Sequence, residues 1–63
     1  MMLRMVEVAE TSSKGYSEAV EKAVKGLMDK GEKVHFFKVV EPRGAVRDGK
    51  IEYQVVVSVA VEA

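Results

Sequence analysis

"VRDGKIEYQVVVSVAVE", residues 46–62, decides the fold. Asp48-Gly49 lies between two apolar runs and is the strongest short-range signal for a type I′ hairpin, because both residues tolerate positive φ. A two-residue turn there sets Arg47 opposite Lys50 and fixes the pairs behind it, Arg43 with Gln54 and Pro42 with Val55 among them. The strands are expected over 33–43 and 50–62, and "QVVVSVAV" is apolar enough for the centre of a sheet.

Ideal pairing assigns the two faces. Val34, Phe36, Lys38, Val40 and Pro42 fall beside Ile51, Tyr53, Val55, Val57, Val59 and Val61, a nearly unbroken apolar face suited to a covering helix. His35, Phe37, Val39, Glu41 and Arg43 fall beside Glu52, Gln54, Val56, Ser58, Ala60 and Glu62, a mixed face too apolar for open water. The second face therefore reads as a contact surface between subunits, and Gln54 and Arg43 within it need partners from another chain or a ligand. Pro42 cannot donate to the ladder, so a bulge or exposed edge is expected near 41–43. One bulged residue exchanges Phe36 and Phe37 between the faces, and the residues leave both arrangements open.

Upstream, Tyr16, Ala19, Val20, Ala23, Val24, Leu27 and Met28 recur at helical spacing, with Glu18, Glu21, Lys22, Lys25 and Asp29 opposite. Glu18–Lys22 and Glu21–Lys25 are i,i+4 pairs in the favourable order. Ser12 or Ser13 is the expected N-cap, an anion cup being the alternative use of that turn, and Gly31 is the expected C-terminal stop. Gly26 has no evident purpose inside the helix. Residues 3–9, "LRMVEVA", read as a first short strand.

The order is thus β-α-β-β, an α+β domain over 1–63 whose three-stranded antiparallel sheet, order 1-3-2, wraps one helix. The 63 residues carry ten basic and ten acidic groups, no Cys and one His. A balanced charge argues against a nucleic-acid or anionic-membrane partner, and the absence of Cys removes disulfides and thiolate metal sites. So small a core needs a further staple, and oligomerisation is the one left. No leader or membrane span is visible, so the cytoplasm is the expected compartment. His35 has no nucleophile–base partner in the pattern, and no enzyme is expected.

"VAETSSKGYSEAVEKAV" (8–24) followed by "FFKVVEPRGAVRDGKIEYQVVVSVAVE" (36–62) resembles the dodecins, small flavin-binding proteins. The likeness rests on T-S-x-x-G at the helix entry, V-x-E-x-R-G before the hairpin and Y-Q-V on the last strand, and it covers nearly the whole chain. It implies a hollow homo-dodecamer that stores or buffers flavin (FMN, riboflavin or FAD) in two-fold-related pockets, without turnover. In that family a Trp early in the second strand stacks on the isoalloxazine, a Gln on the third bonds its pyrimidine edge, and the Arg of R-G is placed to contact ligand. Those positions correspond to Phe36, Gln54 and Arg43. Phe36 departs from the pattern, keeping a π-face but less area than Trp. Its family role also requires a bulge near Glu41-Pro42 to turn it away from the helix. The resemblance further allows Glu41 to help hold a metal ion, of unknown identity. The alternative is a dodecin-like shell without tight flavin binding, holding coenzyme A or ions or serving only as structure.

Overall fold

The computed structural model describes residues Met1–Ala63 as β1 (Leu3–Ser12), α1 (Tyr16–Asp29), β2 (Val34–Arg47) and β3 (Lys50–Glu62). The sheet order is β1-β3-β2 and both pairings are antiparallel, as the sequence predicts. Asp48 and Gly49 both have positive φ, 50° and 75°, the backbone of a type I′ turn, and Arg47 pairs with Lys50.

β1 runs to Ser12 rather than stopping at Ala9, because β3 is long enough to pair Thr11 with Gln54 and Ser12 with Tyr53. The expected serine N-cap is therefore not formed. Gly15 precedes the helix and makes no side-chain cap. Ser12, only 4% exposed, acts one turn earlier: its Oγ accepts from the Lys14 and Gly15 amides at 2.9 and 3.4 Å and donates to Glu18 Oε1 at 2.9 Å. Glu18 thus turns toward Ser12 and not toward Lys22, whose Nζ instead donates to the Thr11 carbonyl at 2.7 Å. The Glu21–Lys25 pair forms at 3.3 Å.

At the other end Gly31 adopts φ 91°. Its amide donates to Met28 O and that of Glu32 to Leu27 O, the two bonds of a Schellman stop. Arg4 meets Glu32 at 3.0 Å and ties β1 to this stop.

The core is a valine row under an alanine stripe. Val55, Val57, Val59 and Val61 of β3 are fully buried against Ala19, Ala23 and Leu27 of α1. Two alanines one turn apart let the helix approach the sheet closely, and Val6, Val8, Val20, Val24 and Val34 close the margins. Only 9 of the 63 residues are buried, and none of them lies on β2.

The bulges of β2 correct the ideal register. Pairing holds from Arg47–Lys50 to Glu41–Val56, then shifts at Val40, so that Val39 meets Val57, Phe37 meets Val59 and Phe36 meets Ala60. A second shift at His35 returns Val34 to Val61. The first bulge falls one residue before the expected Glu41-Pro42. Phe37 and Val39 accordingly stand on the helix side, while Phe36 and Lys38 stand on the other face, the reverse of the ideal assignment. Phe37 joins Val20, Val24 and Met28 in an open groove of about 190 Å³ between α1 and β2.

Candidate functional site

The sheet face away from α1 is built in rows that cross all three strands. Met5–Ala60–Phe36 is followed by Glu7–Ser58–Lys38, then Ala9–Val56–Glu41, then Thr11–Gln54–Arg43. Each row alternates with its neighbour in character because successive residues two apart on β3, from Ala60 to Gln54, alternate between apolar and polar.

Phe36 is 54% exposed and Met5 is 53% exposed, yet Ala60 between them is fully covered. The Ala60 methyl is closed off, and the exposed apolar surface of this row belongs to Met5 and Phe36. About half of Phe36 stays open in the single chain, so it is not core filler here.

Three rows further, Arg43 Nε donates to Gln54 Oε1 at 2.9 Å, and Gln54 Nε2 donates to Glu52 Oε1 at 2.8 Å. Arg47 approaches the same Glu52 oxygen at 3.9 Å. The cross-strand pairing that the hairpin imposes thus becomes a polar chain. It orients the Gln54 amide and uses one of its two N–H groups, leaving the other free to donate. Gly44, next to Arg43, has no positive φ; a side chain there would stand 3.3 Å from the Glu52 carbonyl and 3.9 Å from the Tyr16 hydroxyl. Glycine at this point lets Tyr16 lie over the hairpin, where it meets Tyr53 edge-on at 5.1 Å.

The three residues marked by the sequence therefore share one face, but only two of them touch. Arg43 and Gln54 are bonded to each other. Phe36 sits opposite Ala60, six residues along β3 from Gln54, which is about 20 Å of extended strand. A single planar ligand that met both Phe36 and Gln54 would take them from two different chains.

Lys38 and Ser58 also share this face. The ideal register turned Lys38 toward the helix, and the bulge brings it onto the open face, opposite Ser58. The conflict between Phe36 and ideal pairing was the available signal, since whatever moves Phe36 moves Lys38 with it. Glu41 shares this face with Val56, and no group of three or more His, Asp or Glu side chains gathers anywhere in the chain. His35 Nε2 lies 3.1 Å from Glu62 Oε1 beside the second bulge.

Among solved structures, the dodecin of Streptomyces coelicolor is 30% identical with a TM-score of 0.89, the match covering 98% of this chain and 90% of that one. A tryptophan-to-phenylalanine mutant of the T. thermophilus dodecin is 31% identical with a TM-score of 0.86, covering 95% and 91%. A calcium-chelating dodecin from Mycobacterium tuberculosis superposes with a TM-score of 0.91 over 100% and 91%, though at 23% identity this likeness speaks for the fold alone. No curated protein matches the sequence significantly. The dodecin family model matches residues 2–63, and with the fold and strand order in agreement the chain belongs to the dodecin family.

Proposed function

We propose that this chain binds a flavin (FMN, riboflavin or FAD) as a homo-dodecamer and stores or buffers it without turning it over. The observation that carries this reading is the bulge at Val40, which turns Phe36 outward over Ala60 and presents its ring to a planar ligand. A bound flavin supplies the conjugated ring and its redox chemistry. The chain's own residues stack, orient and exclude water. Phe36 provides the π-face, and Gln54, held by Arg43, presents a free N–H to a carbonyl on the ring edge. Because Phe36 and Gln54 of one chain lie about 20 Å apart, each pocket draws them from two subunits. Arg43 contacts ligand only where its bond to Gln54 leaves guanidinium N–H groups unused.

The half-exposed Phe36, Phe37, Val39 and Val40 supply apolar surface for the assembly. The same reading assigns no catalytic role, places the protein in the cytoplasm and gives it neither nucleic acid nor membrane as partner. Its support is the balanced charge, the lack of a nucleophile–base pair and the fact that no helix is long and apolar enough to cross a membrane. A shell that holds coenzyme A or ions is the competing function. The mycobacterial structure is of a calcium-chelating dodecin, and within one chain here no three His, Asp or Glu side chains gather for such a use.

Titrating FMN or riboflavin with the purified protein, while following flavin fluorescence, tests the reading. Quenching at micromolar protein is expected, and Phe36→Trp is expected to tighten binding several-fold, by about 0.5–1.5 kcal/mol of added stacking. Unquenched flavin, or a Phe36→Trp variant with unchanged affinity, would count against the stacking role.

A further inference from the structure

We infer that His35 and Glu62 form a pH-sensitive latch on the second bulge of β2: a protonated imidazole holds the end of the strand in its bulged register, and a neutral one lets that end loosen. The inference concerns the fold and does not depend on what ligand the chain binds.

The second register shift leaves His35 unpaired between Val34–Val61 and Phe36–Ala60. Glu62 is two residues past Ala60 and opposite Leu3, so it continues the open face one row beyond Met5–Ala60–Phe36. The bulged residue takes the third place in that row, where His35 Nε2 lies 3.1 Å from Glu62 Oε1. The backbone closes beside it: the Glu62 amide donates to the Lys33 carbonyl at 3.0 Å and the Ala63 amide to the Met2 carbonyl at 3.1 Å. The two side chains are 32% and 36% exposed, so water delivers protons to the pair.

Two arrangements compete for this end of β2. In the bulged one Val34 packs at the margin of the core and His35 lies with Glu62. Without the shift, the pairing that sets Phe36 against Ala60 would run on, with His35 against Val61 and Val34 against Glu62. That slip carries the imidazole to the helix side, beside the fully buried Val61, and puts a valine on the open face. A charged ring loses both its water and its carboxylate on the way; a neutral ring loses only a hydrogen bond. Protonation also strengthens the contact directly. The imidazolium carries a proton on each nitrogen, so Nε2–H always meets the carboxylate, whereas a neutral ring protonated on Nδ1 sets two acceptors face to face. Imidazole changes charge between about pH 5 and 8, so the latch is closed on the acid side of that range and opens as pH rises.

No other acid or base is within ion-pair distance of either partner. Arg4 on β1 is held by Glu32 at 3.0 Å. Lys38 on β2 and Glu7 on β1 belong to the row of Ser58, four residues from Glu62 and about 13 Å along the strand. Lys33 adjoins the bulge and forms no ion pair, and α1 lies across the other face of the sheet.

Hydrogen exchange of the assembled protein at pH 5.5 and 7.5, read by mass spectrometry on the segments around Val34 and Glu62, tests the latch in wild type, His35→Gln and Glu62→Gln. Light scattering checks that each variant assembles. Protection factors, which divide out the intrinsic pH dependence of exchange, are expected to fall about threefold in these two wild-type segments as pH rises, the scale of a partly exposed ion pair. Both variants are expected to show the lower protection at both pH values, and the β2–β3 turn to show no change in any of the three proteins. Equal protection of wild type at the two pH values overturns the inference. So does a fall of the wild-type size in both variants, or one spread over the whole sheet.

Discussion

At the scale of single residues, Ser12 shows how one side chain can be read correctly as polar turn chemistry and wrongly in its position. Its hydroxyl takes two backbone amides and gives its proton to Glu18 while almost fully buried. Replacement by Ala strands those groups, so Ser12→Ala is expected to lower stability by about 1–2 kcal/mol, readable as a shifted denaturation midpoint. An unshifted midpoint would mean that water replaces the hydroxyl without loss. Gln54 and Arg43 were legible because a two-residue turn dictates their pairing, and their hydrogen bond follows from that placement. Phe36 was legible only as a choice between two faces. "FFKVV" sets a Phe and a Val at each parity, so Lys38, which shares the parity of Phe36, is the only vote alternation casts on which ring points inward.

At the scale of elements, the stripe and C-terminal stop of the helix were read, while its N-cap and the register of β2 were not. The helix has a single-period stripe and a glycine stop, each with a local physical cause. Of the two β2 bulges, Pro42 announces the first only approximately, since the consecutive valines Val39 and Val40 can each take the edge position, and nothing in the local sequence announces the second, at His35. The two helix glycines make opposite predictions. A Cβ at Gly26 would meet nothing within 4 Å and its φ is not positive, so Gly26→Ala is expected to raise stability by about 1 kcal/mol. Gly31 sits at φ 91°, where an L side chain is strained, and Gly31→Ala is expected to cost about 1–2 kcal/mol. Thermal or denaturant melts of the two variants should move in opposite directions; a loss for Gly26→Ala would show that another subunit packs against that face.

At the scale of the whole molecule, the sheet and helix bury one row of valines and leave β2 without a buried residue. The single chain measures 46 × 20 × 13 Å, an elongated shape whose hairpin tip, with Val46 71% and Ile51 56% exposed, extends past the helix. Such a chain gains stability by association, so its melting temperature is expected to rise with protein concentration, and light scattering is expected to report an oligomer. A concentration-independent melt together with a monomer mass would overturn the subunit-contact reading of the open face. The need for partners was legible from chain length and the mixed second face; which side chains fill that face was not, since it turned on the bulges.

The strand order has one more consequence, for the timing of folding during synthesis. The last strand made, β3, is the middle of the sheet, and Val61 near its end is the partner of both Arg4 and Val34. The hairpin can form as soon as β3 emerges, but β1 and α1 have nothing to close upon until then. The first half of the chain must therefore wait in the open, with Met5, Val6 and Val8 unpaired, until β3 has left the ribosome.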